Sequence, residues 1–137
     1  MTVTDLGPGE SPADSIWTLA DDSRRVFSGD VAYNRMHAYL ADGHHHEWLA
    51  NIARVGQMLP GGETLHPGHG DPAGTEVLDF QEEYIRAFVD AVGAARWEDP
   101  DGDRAEIASR MRRLLPTEDL AFLMELSIDP LAAQPAS

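Results

Sequence analysis

The stretch from Glu76 to Ala91 constrains this chain most. Val77, Phe80, Tyr84, Phe88 and Ala91 recur at three- and four-residue steps and form one apolar stripe, with Glu82, Glu83 and Arg86 off it. Thr75 stands where a helix cap belongs, and Glu76 suits the positive end of the helix dipole. A helix with one apolar side must bury it against another layer. Upstream, Trp48, Leu49, Ile52, Val55 and Leu59 repeat the same spacing until Leu59-Pro60-Gly61-Gly62 stops it.

The partners of these helices are short runs. Ser15-Ile16-Trp17-Thr18-Leu19 and Arg25-Val26-Phe27-Ser28, separated by Asp21, Asp22 and Ser23, read as a hairpin. Neither run alternates cleanly, which suits strands covered on both faces. Glu63-Thr64-Leu65 is long enough for a short strand, and 66–72 is too rich in Pro and Gly for regular structure. Residues 1–14 carry Gly7, Pro8, Gly9, Ser11 and Pro12 and read as an irregular lead-in. Trp97 to Asp103 reads as an acidic turn; Ile107, Met111, Leu114 and Leu115 mark a third helix, and Pro116-Thr117-Glu118 starts a fourth. Ala132 to Ser137 reads as a frayed tail. The expected order is β-β-α-β-α-α-α, an α/β fold.

Composition narrows the function classes. The 137 residues fit one domain with a real core. Ten basic residues, all Arg, against 24 acidic ones give a formal charge of −14, which argues against a phosphate backbone as partner. With no cysteine there is no disulfide framework and no thiolate metal or redox site. No basic-then-apolar start and no apolar run of about 18 residues occurs, so neither leader peptide nor membrane span is expected, and the cytoplasm is the default location.

Two motifs carry chemistry. Gly29-Asp30 falls where an apolar strand is expected to end, a place from which a carboxylate can project into a crevice. A turn residue bonding its own backbone is the ordinary alternative. His66-Pro67-Gly68-His69-Gly70 sets an imidazole between two glycines, on backbone that can lie close to whatever it faces. A surface turn that contains two histidines by chance is the competing reading.

Their ordered combination is more specific than either motif. A strand ending in Gly-Asp, a helix, a short strand ending in Pro-Gly-His-Gly and a long amphipathic helix resemble the C-terminal half of the metallo-β-lactamase-fold hydrolases. Leu6-Gly7-Pro8-Gly9-Glu10-Ser11 before Asp14-Ser15-Ile16-Trp17 looks like the stretch that precedes the Asp strand there, and Val31-Ala32-Tyr33-Asn34 and Trp48-Leu49 also fit. The resemblance covers roughly residues 5 to 95. It implies half of an αββα sandwich over 15–96, with a C-terminal helical extension and tail at 97–137.

By the same resemblance, Asp30 and His69 are metal ligands for zinc, or iron in some members, and Tyr33, His37 and His66 are candidate substrate or supporting contacts. His66 stands where the family usually has an aliphatic residue, and a bond inside its own loop is the alternative for it. Ordinary packing is the alternative for Tyr33 and His37. The implied chemistry is metal-dependent hydrolysis of an ester, lactone, thioester or amide in a small-molecule substrate.

The family's H-x-H-x-D-H motif is missing. The one H-x-H here is His44 to His46, with Trp48 and Leu49 where Asp and His should stand. Neighbours on a helix point about 100° apart, so His44, His45 and His46 cannot converge on one ion. The chain thus reads as half an enzyme, not active alone. The alternatives are a non-catalytic half-domain that dimerises as a binding or interaction module, and a subunit whose metal site a complementary chain completes. One sheet face, on the strands of Ile16 and Val26, is expected to be bare, and a homodimer pairing two such faces is the expected rescue.

Overall fold

The computed structural model describes residues 2–9, 14–19, 24–59 and 61–134. The turn expected at Asp21, Asp22 and Ser23, Pro60 of the first helix stop, Glu10 to Ala13 of the lead-in and the last three residues of the tail lie outside the described residues.

The elements run β1 (Thr2–Gly7), β2 (Asp14–Thr18), β3 (Arg25–Tyr33), α1 (His45–Met58), β4 (Thr64–His69), α2 (Glu76–Ala94), α3 (Pro100–Leu114) and α4 (Ala121–Ala132). Four strands form one sheet in the order β1-β2-β3-β4, the first two pairings antiparallel and β3-β4 parallel across α1. This is the α/β architecture expected, with one strand more. The lead-in is not irregular throughout, because Thr2, Val3 and Thr4 pair with Thr18, Trp17 and Ile16. β-Branched side chains favour the extended backbone, and the Gly-Pro cluster begins only as that strand ends.

Two other expectations are corrected. The strand that should stop at Gly29-Asp30 runs on to Tyr33, and the loop that should start at His66 is strand as far as His69. Proline is tolerated there because β4 is last in the sheet order. Its outer side is met by an isolated antiparallel bridge, with Leu65 and Ala73 exchanging N–H to carbonyl bonds of 2.8 and 3.0 Å.

The acidic turn at 97–103 also shortens. Pro100 sits in the first turn of α3, and the Asp99 carboxylate caps it by accepting from Gly102 N–H at 3.3 Å. The fourth helix begins later than Pro116-Thr117-Glu118, at Ala121 after Leu120 in the left-handed region.

The chain divides into two compact units, residues 1–34 with 44–82, and residues 35–43 with 83–137. In the first unit, alternation buries Ile16, Val26 and Leu65 completely on one sheet face, with Trp48, Ile52 and Val55 of α1 also in the core. The Trp48 indole N–H donates to the Val31 carbonyl at 2.8 Å, so this large ring is satisfied as well as buried.

The second unit is helical. Tyr84, Ile85, Phe88, Ile107, Met111, Met124 and Ile128 form its core. Arg112 clamps Glu118 and Glu125, and Arg104 bonds Asp101 and Asp129, so α3 and α4 are tied by charge on the outside. Among the described residues no helix is long and apolar enough to cross a membrane.

Candidate functional site

The carboxyl ends of parallel strands are where a sheet presents functional side chains. Here β3 and β4 are the parallel pair, and their register is broken twice, since Phe27 pairs with His66, Gly29 with Pro67 and Tyr33 with His69. Four residues of β3 therefore advance while β4 advances two, and the excess is a bulge that contains Asp30. Gly29 enters it at φ 53°, in the left-handed region that glycine adopts without strain.

The bulge turns Asp30 toward the end of β4. Its Oδ1 lies 3.4 Å from Nε2 of His69, with both side chains about two-fifths exposed. Gly68 makes this approach possible. A Cβ on Gly68 would run into the Asp30 carboxylate and would sit 2.8 Å from the Gly29 carbonyl carbon and 2.9 Å from the Asp30 nitrogen. The glycine beside the histidine therefore leaves room for the carboxylate.

Neighbouring bonds fix the pair. Tyr33, buried, lies tilted against His69 with ring centroids 4.7 Å apart and planes 35° apart. Asn34 N–H donates to the His69 carbonyl at 2.9 Å, and its side-chain amide donates to the Asp71 carbonyl at 2.8 Å. Tyr33 N–H donates to Oε1 of Gln81 at 2.9 Å, and Gln81 is buried on α2. Sequence reasoning missed Gln81. Its signal is that it stands four residues after Val77 and three before Tyr84, so a polar residue occupies the apolar stripe.

The other candidates are placed elsewhere. His66 stacks flat against Phe27, with centroids 4.6 Å apart and planes 19° apart. His37 belongs to the second unit and is fully buried. Its Nδ1 meets the Tyr84 hydroxyl at 2.8 Å and its Nε2 meets the Thr117 carbonyl at 2.9 Å. A carbonyl can only accept, so Nε2 carries the proton and Nδ1 accepts from Tyr84, whose oxygen in turn takes the Ala38 N–H at 3.3 Å. Burial holds the His37 imidazole below the ordinary histidine range and pushes the Tyr84 phenol up.

Of the histidine run, His45 is buried at the start of α1, and burial lowers its pKa. A groove of about 190 Å³ lies between α1 and α2, lined among others by Ile52, Gly56, Leu78, Asp79 and Glu82. Neither Asp30 nor His69 lines it.

Asp30 and His69 are the right types for a divalent metal, one hard oxygen and one imidazole nitrogen, already close together. A catalytic zinc takes three protein ligands and keeps one position open. Among the described residues no group of three His, Cys, Asp or Glu could hold a metal ion. The pair fits part of a metal site and does not complete one.

No protein-family model matches the chain, and comparison with curated proteins finds no match. Among solved structures, a metallo-β-lactamase from Pontibacter korlensis matches with a TM-score of 0.54 at 18% sequence identity, over 61% of this chain and 40% of that one. The likeness is one of fold. This chain is a mixed α/β protein whose four-stranded sheet and helices match half of a metallo-β-lactamase-like sandwich, and the match spans well under half of that structure's length.

Proposed function

We propose that this chain is the C-terminal, ligand-contributing half of a metal-dependent hydrolase of metallo-β-lactamase type, and that it is not active alone. The observation that carries the reading is the 3.4 Å approach of Asp30 Oδ1, in the bulge of β3, to Nε2 of His69, the last residue of the parallel strand β4. Asp30 and His69 would hold a zinc ion, or iron, jointly with ligands from outside this chain. A metal held there supplies a water of lowered pKa and polarises an ester, lactone, thioester or amide carbonyl. Within this chain, Gly68, Tyr33 and Gln81 keep the two ligands in place. Two ligands do not hold a catalytic geometry, so no reaction step is assigned to the chain by itself.

The test is metal content and cobalt titration of purified chain, with Asp30→Ala and His69→Ala beside it. Weak binding that both variants abolish, with no hydrolysis of ester or lactone substrates, is the expected result. Tight stoichiometric metal unaffected by either substitution would overturn the assignment.

The second reading, a non-catalytic half-domain that dimerises as an interaction module, draws on the apolar row that the sheet exposes at Trp17 and Phe27.

A further inference from the structure

The sheet has a second face, opposite the buried Ile16, Val26 and Leu65. Val3, Trp17, Phe27 and His66 are register partners in turn, so they make one row across all four strands. Alternation puts this row on the face that α1 does not use. Val3 is 52% exposed, Trp17 46% and Phe27 39%. Strand residues facing outward are ordinarily polar, and an indole and a phenyl ring side by side in water are the exception.

Charge says what can cover the row. The same alternation places Ser15, Thr64, Asp5 and Arg25 around it, so the charged residues flanking it on the four strands are one Asp and one Arg. The chain as a whole carries −14. Two copies of so acidic a protein repel each other over most of their surfaces, yet among the described strand residues of this face Asp5 and Arg25 balance. A basic partner, by contrast, finds no acidic attraction there.

We propose that this face is a self-complementary interface by which two copies of the chain pair sheet to sheet, the Trp17-Phe27 rows packed against each other about a two-fold axis. The interface rests on the second reading, the half-domain that dimerises, and not on the metal one; Asp30 and His69 take no part in it. Because contact is apolar and the background charge repulsive, salt strengthens the dimer by screening, where an ion-paired complex would weaken.

The experiment is sedimentation velocity of metal-free full chain from micromolar to millimolar concentration, at low and high sodium chloride. The expected result is a shift from the 15.0 kDa monomer toward twice that mass, favoured by salt. Trp17→Glu and Phe27→Glu, checked for native circular dichroism, weaken self-association by about 100-fold or more, since each puts a carboxylate into the desolvated row of both copies. Should either charged variant lose native structure, Phe27→Thr, a β-compatible polar replacement, gives the same reading. Phe122→Glu, at an exposed apolar position of α4, leaves the dimer intact, as does Asp30→Ala. A monomer at all concentrations overturns the proposal. So does a dimer that survives the Trp17 and Phe27 variants, or one that only Phe122→Glu dissolves.

Discussion

The amide oxygen of Gln81 on α2 accepts the backbone N–H of Tyr33, 2.9 Å away, and Tyr33 in turn carries its ring against His69. Both partners are 2% exposed, so water cannot replace the bond. Gln81→Leu therefore leaves a buried donor unmet and destabilises the chain by about 1–3 kcal/mol. Gln81→Glu keeps an acceptor but buries a carboxyl, so its loss grows as pH rises and that group ionises. Urea unfolding of the two variants checks both outcomes.

Gly68→Ala is expected to be more damaging than its size suggests. The added methyl meets the Asp30 carboxylate and the Gly29 backbone together, and the backbone cannot swing away as a side chain can. A loss of about 1–3 kcal/mol is expected from overpacking, along with weakened cobalt binding. Retained cobalt affinity would mean that Asp30 has room to move without leaving His69.

His37 gives the chain a pH dependence. Burial holds its folded pKa below the ordinary 6.5, so as pH falls the unfolded chain takes up the proton first. Its contribution to stability is complete above 6.5 and is lost as pH falls from there through the folded pKa. His45 is shifted the same way, again chiefly by burial. Thermal midpoints between pH 7.5 and 5 should therefore fall, and fall less steeply in His37→Gln. An equal slope in the variant would place the titration elsewhere.

Arg112 ties the α3-α4 connection from outside. Its guanidinium bonds Glu118 at 2.9 Å and Glu125 at 2.7 Å, and hydrogen bonding to Arg112 holds the Glu118 carboxyl below the usual range. The depressed carboxylate contributes above the unfolded pKa, and that contribution is lost as pH falls through the folded one. Arg112→Gln lowers the thermal midpoint modestly at low salt. The difference shrinks in high salt, because these groups lie at the surface.

The helices were legible in the sequence because a three- and four-residue repeat survives without knowledge of the partner layer, as at Val77, Phe80, Tyr84 and Phe88. The α/β class followed, and so did the residue types of the candidate site. β1 was hidden because Thr2, Val3 and Thr4 form a strand only by pairing with β2, too short to show periodicity. The direction of Asp30 depends on register between β3 and β4, which are separated by a helix, and no local pattern records a bulge between distant strands. Gln81 was visible as a polar residue on an apolar stripe, but its partner, a backbone N–H, has no letter in the sequence.

The bridge between Leu65 and Ala73 bears on how the sheet could grow. A strand edge is a template for further strands, and the β4 edge is blunted twice, by the returning chain at Ala73 and by Pro67, which has no N–H to offer. β1 is the other end of the sheet order. A sheet with one extensible side can join another of its kind only head to head, and that junction uses up the extensible side of both. Edge association of this chain, taken by itself, therefore stops at two copies.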